Sequence, residues 1–133
     1  SDKFNANSTC VELILPQENI FTCADRNYLK MALNNLIQNG INYGNGKALV
    51  ELKFDTNQAF VCVHDDGKGV PPELHESILK PFIRGSESDK LYKGHGLGLA
   101  IVKRVLDWHN GRLRISDSKK LNGAEFEICL PRE

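Results

Sequence analysis

The chain carries the glycine-rich stretch GHGLGLAI at residues 94–101, directly before a segment with helical periodicity. Glycines that open a helix leave its first backbone N–H groups exposed, and these groups and the positive end of the helix dipole can cradle phosphates. The stretch is not a dinucleotide-binding fingerprint, because Leu99 stands where the third glycine would fall and no strand precedes it. The chain also contains no GxxxxGK(S/T) phosphate loop. We therefore expect a phosphate-binding helix start of another kind.

Alternation of apolar and polar residues around this stretch predicts strands on both sides of two longer helices. The predicted elements are a strand at 11–15, a helix after the N-cap Asp25 to about Tyr43, a hairpin of strands at 48–54 and 60–63, a short helical stretch after Pro72 to about Leu79, a helix from Leu97 to His109 that Asn110-Gly111 stops, and two closing strands at 113–115 and 124–130. This order predicts an α/β fold, a two-layer sandwich in which helices cover one face of one sheet. We expect residues 1–133 to form a single domain.

Composition narrows the classes of function. The 133 residues suffice for one core, and 17 Lys and Arg balance 17 Asp and Glu, which disfavours a nucleic-acid binder. No apolar run approaches the roughly 20 residues that span a bilayer, so we expect no membrane contact by this chain. Because the chain opens with Ser1-Asp2 and no Met, we expect it to be a fragment of a longer protein.

The cysteines are scattered along the chain without a CxxC pair: Cys10, Cys23, Cys62 and Cys129. This spacing argues against a zinc site and favours small buried side chains in a reducing compartment.

The segment NLIQNGINY at residues 35–43 places three carboxamides on one helical face. Asn35, Asn39 and Asn42 stand at i, i+4 and i+7, and we expect their face to lie opposite the apolar arc of the helix. Carboxamides offer neutral oxygens to a hard cation and N–H donors to phosphate oxygens. A solvated polar helix face is the structural alternative for this motif alone.

The segment DDGKGV at residues 65–70 follows a buried strand. An Asp65 held at the strand end can accept a hydrogen bond from an exocyclic amine such as that of adenine, and Gly67 and Gly69 let the backbone approach a flat ring. Taken alone, this segment is more often an ordinary Asp-Gly turn.

The segment PFIR at residues 81–84 leads into a polar, glycine-bearing loop at 85–96. Phe82 can anchor that loop in the core, and Arg84 can reach a phosphate. On these residues alone, a surface arginine beside a core phenylalanine is the simpler interpretation.

Together, the four motifs resemble the N, first glycine, F and second glycine boxes of sensor histidine kinases, in this order and spacing. The resemblance covers the chain from about residue 10 to its end. These kinases share the Bergerat ATP-binding fold, built on one mixed sheet, with type II topoisomerases, Hsp90 and the MutL mismatch-repair proteins. The resemblance implies the ATP-binding catalytic domain of a two-component sensor histidine kinase, with ATP and Mg²⁺ as cofactors.

The resemblance also implies roles for single residues. Asp65 would read the adenine amino group, Asn35 and Asn39 would handle Mg²⁺ and the phosphates, and residues 85–96 would form a lid over ATP. The implied catalytic residues are Asn35, Asn39 and Arg84, and the implied metal ligands are Asn35 and Asn39. The implied ATP-binding set is Asn35, Asn39, Asn42, Tyr43, Asp65, Gly67, Gly69, Val70, Phe82, Arg84, Lys93, Gly94, His95, Gly96, Leu97 and Gly98.

The chain departs from the family pattern at three positions. Asn42 replaces the usual Lys or Arg, which shifts the positive role toward Arg84 or Lys93. Gly40 stands where Ala is common, a change that we expect the packing to tolerate. His95 occupies a variable position between the lid glycines, where it is solvent-exposed or touches the metal.

The position of Asn35 favours phosphoryl transfer over hydrolysis. The Bergerat ATPases place a glutamate there as general base for water, and an amide cannot take a proton from water at neutral pH. The nucleophile is then a histidine outside this chain, because no histidine here shows the acceptor pattern His-Glu/Asp-x-x-x-Pro. His75-Glu76 begins similarly, but no Pro follows until Pro81. We expect His64 and His109 to be structural.

The implied partners are an acceptor-histidine dimerisation domain of the same parent protein and a downstream response regulator. The parent is expected to be a homodimer anchored in the inner membrane, with this domain in the cytoplasm. The alternative is a regulatory ATP-binding module, either an anti-sigma-type serine kinase or a degenerate pseudokinase. Asn42 keeps the pseudokinase alternative open, whereas Asn35 disfavours a fragment of a topoisomerase or chaperone ATPase.

Overall fold

The computed structural model describes residues 10–76, 79 and 95–132. Within these ranges the elements are β1 (Cys10–Ile14), α1 (Arg26–Tyr43), β2 (Lys47–Phe54), β3 (Gln58–Asp65), α2 (His95–Trp108), β4 (Arg112–Asp117) and β5 (Ala124–Pro131). A 3₁₀ turn at Pro72–Leu74 begins the short helical stretch that the sequence predicts there. Neither described helix is long and apolar enough to cross a membrane.

The five strands form one sheet in the order β1-β2-β3-β5-β4. β1 runs parallel to β2 and the other neighbours are antiparallel, so the sheet is mixed. The register aligns Val50, Val63 and Phe126 in one row, and this row shares the buried core with Leu36 of α1 and Leu99 of α2. Since strand side chains alternate between faces, the intervening residues point away from the helices. The predicted two-layer sandwich, with helices on one face, is confirmed.

The N-terminus of α1 is capped as the sequence predicts. Oδ1 of Asp25 accepts hydrogen bonds from the backbone N–H groups of Asn27 (2.9 Å) and Tyr28 (3.0 Å). Such caps satisfy helix N–H groups that have no partner within the helix.

His109, just after α2, ties that helix to the start of α1. Its Nδ1 lies 2.7 Å from the carbonyl oxygen of Val105, and its Nε2 lies 2.8 Å from the backbone nitrogen of Asp25. The neutral imidazole with its proton on Nδ1 satisfies both contacts, because it donates to the carbonyl and accepts from the N–H. His109 is therefore structural, as expected.

The same end of the helical layer brings two aromatic rings together. Tyr28 of α1 and Trp108 of α2 pack edge to face, with ring centroids 5.2 Å apart. Since the start of α1 meets the end of α2 and the two helices pack side by side, they run antiparallel. The C-terminus of α1 and the N-terminus of α2 consequently share the opposite end of the layer.

The expectation of buried cysteines is correct for two positions. Cys62 and Cys129 are buried, and burial raises the pKa of both thiols, so they stay protonated at neutral pH. Cys23 is exposed, and the expectation is wrong for it. Cys23 lies in the irregular segment between β1 and α1, which has no strand or helix to bury it.

Alanine substitutions at two glycines should change the free energy of unfolding in opposite directions. A Cβ atom at Gly40 would lie 3.8 Å from its nearest neighbours, an ordinary contact, whereas at Gly111 it would lie 2.6 Å from the carbonyl oxygen of Cys129. Gly40→Ala should raise the free energy of unfolding by about 1 kcal/mol, because Gly in a helix interior is that much less favourable than Ala. Gly111→Ala should lower it by about 1–3 kcal/mol through overpacking. Urea denaturation measures both, and a destabilised Gly40→Ala variant would contradict the packing around α1.

Candidate functional site

Asp65, the last residue of β3, is a buried carboxylate that the backbone holds in place. It is 6% exposed, and its Oδ1 accepts hydrogen bonds from the N–H groups of Gly67 (2.9 Å) and Ala124 (3.1 Å). Both bonds use Oδ1, so neither takes up Oδ2. The carboxylate is thus fixed in orientation at the end of the strand, where the sequence predicts it.

Gly123 is a site residue that the sequence analysis missed. A Cβ atom there would overlap the carbonyl oxygen and Oδ1 of Asp65 and would lie 2.6 Å from the nitrogen of Gly67. Its own N–H donates to the carbonyl oxygen of Asp65 at 3.1 Å. The Asn122-Gly123 pair, with Asn122 at φ 70°, is a turn signal, but the sequence gives no sign that the turn packs against Asp65.

Asp66 holds the end of α1 at the same edge of the sheet. Its Oδ1 accepts hydrogen bonds from the backbone N–H groups of Asn45 (2.6 Å) and Lys47 (3.3 Å). The side-chain amide of Asn45 donates to the carbonyl oxygen of Asp66 at 2.9 Å. The two consecutive aspartates therefore have different tasks, since Asp66 binds the loop after α1 and Asp65 binds the start of β5.

The predicted glycine turn follows directly. Gly69 has a φ of 79°, which favours glycine, and Val70 after it is buried. The carbonyl oxygen of Val70 lies 2.9 Å from Nε2 of His75, which donates the hydrogen bond. His75 thus serves to hold this turn.

The asparagines of α1 do not lie opposite the apolar arc, and this part of the prediction is wrong. Asn39 is buried, Asn35 is half-buried and Asn42 is exposed. Asn39 comes three residues after the fully buried Leu36, so it lies beside the core. Asn42 accepts a hydrogen bond from Nε2 of Gln38 at 3.1 Å.

The side-chain amide nitrogen of Asn39 has no partner in the part of the chain that the structure describes. Asn39 is 8% exposed, and its Nδ2 has no hydrogen-bond partner among the described residues. A buried donor without an acceptor costs about 1–3 kcal/mol, so this group calls for an acceptor from outside the described residues. An anionic oxygen, such as one of a phosphate, meets that need.

The glycine-rich segment opens α2 as predicted, but the helix begins two residues before the predicted Leu97, so His95 and Gly96 belong to the helix and not to the predicted loop. α2 begins at His95, so Gly96 and Gly98 lie in its first turn, where backbone N–H groups lack intrahelical partners. Because the helices are antiparallel, this start lies at the same end of the layer as the C-terminal turn of α1. Asp65 adjoins that turn, since a Cβ at Gly40 would contact its side chain at 3.8 Å.

Several predicted site residues lie wholly or partly beyond the described structure. Phe82, Arg84, Lys93, Gly94 and residues 85–94 of the predicted lid lie outside the described residues. The helix backbone is described at five further positions, but their side chains are not: Tyr43, His95, Gly96, Leu97 and Gly98. The roles expected for all of these residues stay predictions.

Two carboxamide side chains of α1 are suited to bind Mg²⁺. Asn35 and Asn39 follow one another by one helical turn, and their carboxamide oxygens are hard neutral donors of the kind that Mg²⁺ accepts alongside phosphate oxygens. The unpaired Nδ2 of Asn39 leaves that side chain suited to donate to an anion as well.

Known proteins similar to this chain are sensor kinases. CpxA, a sensor histidine kinase of Escherichia coli K12, is 40% identical over 106 residues, which cover 79% of this chain and 23% of CpxA. The sensor protein RstB of the same organism is 34% identical over 112 residues, covering 84% of this chain and 26% of RstB. The chain spans about a quarter of the length of these relatives.

Solved structures agree with the fold. The nucleotide-free catalytic domain of histidine kinase ThkA superposes with a TM-score of 0.80 at 27% identity, over 94% of this chain and 80% of that one. The mycobacterial sensor histidine kinase MprB gives 0.75 at 28% identity, over 92% and 83%. The family described as Histidine kinase-, DNA gyrase B-, and HSP90-like ATPase matches residues 24–133. The chain therefore belongs to this ATPase family, and within it is homologous to the catalytic domains of two-component sensor histidine kinases.

Proposed function

We propose that this chain binds Mg²⁺–ATP and transfers the γ-phosphoryl group to a histidine on a separate acceptor domain of its parent protein. The observation that carries the proposal is the buried amide of Asn39, which has no partner among the described residues and lies at the end of the helical layer that Asp65 and the start of α2 share. One ligand with an amino group and several anionic oxygens would satisfy all three features. ATP is such a ligand.

Adenine would be read by Asp65. Its Oδ1 already accepts two backbone N–H groups, so the exocyclic amine of adenine would donate to Oδ2. Gly67, Gly69 and Val70 would form the wall of the base pocket. His75 fixes this turn, since it donates a hydrogen bond to the carbonyl oxygen of Val70.

The phosphates would lie between the asparagine face and the start of α2. Nδ2 of Asn39 would donate to a phosphate oxygen, and the first N–H groups of α2 would do the same beside the positive helix end. This part of the proposal also includes Asn42, Tyr43, Phe82, the cations Arg84 and Lys93, and the residues from Gly94 to Gly98. Mg²⁺, held by Asn35 and Asn39, would supply neutralising charge on the phosphates.

Asn35 makes transfer the better proposal than hydrolysis, because a carboxamide has no basic group to activate water. The described histidine side chains are also poor acceptors. Both nitrogens of His109 are engaged, Nε2 of His75 donates to Val70, and His64 is buried. A phosphoryl acceptor on another domain fits these observations, and in-line attack by its nitrogen would be stabilised by the charges around the phosphates.

The wider setting follows from the same proposal. Residues 1–133 would be one domain of a longer sensor kinase that works as a homodimer and phosphorylates a response regulator. The parent would be anchored in the inner membrane, with this domain on the cytoplasmic side. CpxA and RstB, which are about four times as long as the matched segment, support a multidomain parent.

One observation favours a second candidate, a degenerate kinase that binds ATP without transferring phosphate. Asn42 stands where sensor kinases carry a cation, is exposed, and engages Gln38. Such a protein would keep ATP affinity and lose labelling of the acceptor.

Asp65→Asn should weaken Mg²⁺–ATP binding at least tenfold. The new amide can keep Oδ1 for the backbone, but it turns an N–H toward the adenine amine, so the hydrogen bond to adenine is lost. A lost hydrogen bond to a charged group is worth about 1.5–3 kcal/mol. Isothermal titration calorimetry measures the affinity. Asp66→Asn is the matched control, since Asp66 holds the loop after α1 and should leave the affinity unchanged. Wild-type affinity in Asp65→Asn would exclude the adenine assignment.

The chain alone should bind ATP and turn it over very slowly, but label a histidine when mixed with its acceptor domain. The product is a phosphoramidate, so the label from γ-labelled ATP should be lost in acid and survive base. Asn35→Glu should raise phosphate release by the isolated chain, because the carboxylate can act as a base for water. Fast release by the unmodified chain would refute the transferase proposal. An acid-stable label would identify a serine kinase, and binding without any label a degenerate kinase.

A further inference from the structure

The face of the sheet away from the helices carries an unusual group of metal-binding side chains. Cys62 of β3 is paired in register with Glu127 of β5, and His64 with Glu125. One ligand atom each from Cys62, Glu125 and Glu127 lies within 4.8 Å of the other two. The thiol is fully buried and the two carboxylates are about one-fifth exposed or less.

Two of the ligand separations approach those around a single tetrahedral ion. With Zn–S near 2.3 Å and Zn–O near 2.1 Å, two ligand atoms on one zinc ion lie about 3.6 Å apart. Sγ of Cys62 lies 3.5 Å from Oε2 of Glu127, so this edge is already formed. Nδ1 of His64 lies 3.9 Å from Oε1 of Glu125, which is close to a second edge.

A second observation, on His64, points to the same ligand. His64 is 3% exposed, and its Nε2 has no hydrogen-bond partner among the described residues. That nitrogen faces Oε1 of Glu51 at 3.6 Å. Histidines that bind a metal through one ring nitrogen usually donate the other N–H to a carboxylate. With a metal on Nδ1, which would displace the hydroxyl of Ser118 from its 2.8 Å contact, the ring proton of the neutral imidazole lies on Nε2 and faces Glu51.

We propose that this face binds a divalent transition-metal ion of the zinc class through four ligands: Cys62, His64, Glu125 and Glu127. Glu51 orients His64 from outside the coordination shell. Binding displaces the thiol proton of Cys62, which passes to solvent, and no electron is transferred. A thiolate, an imidazole and two carboxylates suit zinc better than Mg²⁺ or Ca²⁺, which take oxygen ligands.

Two cationic side chains already form ion pairs with carboxylates of this group and its surroundings. Arg114 lies 3.6 Å from Glu127, and Lys120 lies 3.0 Å from Glu51. Arg114 is exposed, so it can swing into water when a divalent ion takes over Glu127, whereas Lys120 can keep its contact with Glu51. The ligands come from β3 and β5, more than 60 residues apart, which is why no CxxC-type spacing announces them.

The test is titration of the 133-residue chain with ZnCl₂ by calorimetry, and with Co²⁺ by absorption, in a non-chelating reductant. We expect one ion per chain, and a thiolate-to-cobalt charge-transfer band that Cys62→Ser abolishes. Cys23→Ser, a change at an exposed cysteine outside the group, should keep the band. Glu51→Gln should weaken zinc binding about tenfold to a hundredfold, the range for partners that orient a ligand.

Controls separate the site from misfolding and from chance binding. Glu127→Gln, which keeps side-chain volume, should weaken zinc binding with an unchanged circular dichroism spectrum. Saturating Mg²⁺–nucleotide should not displace the ion, because the group lies on the sheet face opposite the helices. Absence of stoichiometric zinc binding, or a cobalt band that persists in Cys62→Ser, would overturn the proposal.

Discussion

The fixed carboxylate of Asp65 is the interaction on which the rest of the site depends. One oxygen accepts N–H groups from the turn after β3 and from the first residue of β5, which lies 59 positions beyond Asp65. This arrangement requires that position 123 carry no side chain, because a Cβ atom there would occupy the same space. The neighbouring Asp66 binds the loop after α1. Two consecutive acids thereby join the central strands and the first helix at one edge of the sheet.

The antiparallel helix pair completes the arrangement at that edge. His109 and the Tyr28–Trp108 contact fix the start of α1 against the end of α2. The other ends of both helices must then meet, so the asparagines of α1 and the glycine-bearing start of α2 share one end of the layer. Asn39, whose buried amide has no partner among the described residues, is one of these asparagines.

Much of the fold could be predicted from sequence because the signals are local. The N-cap Asp25, the hairpin of β2 and β3 and the helix that GHGLGLAI opens were all readable from periodicity and turn residues. The misses concern distant partners. In the sequence, Gly123 is recognisable only as a turn residue and His109 only as the end of a helix. Cys62, Glu125 and Glu127 look like separate strand residues, because only the pairing of β3 with β5 brings them together. The position of Asn39 beside the core, and not opposite it, depends on how α1 rotates onto the sheet.

The most direct measurement is a crystal structure of the chain with Mg²⁺ and a non-hydrolysable ATP analogue. We expect the adenine amine within hydrogen-bond distance of Oδ2 of Asp65, about 2.7–3.2 Å, with Oδ1 still bound to the backbone. We also expect a phosphate oxygen to accept a hydrogen bond from Nδ2 of Asn39, which has no partner among the described residues without the ligand. Adenine bound elsewhere, or an Asn39 amide still without a partner in the complex, would contradict the proposed ATP site.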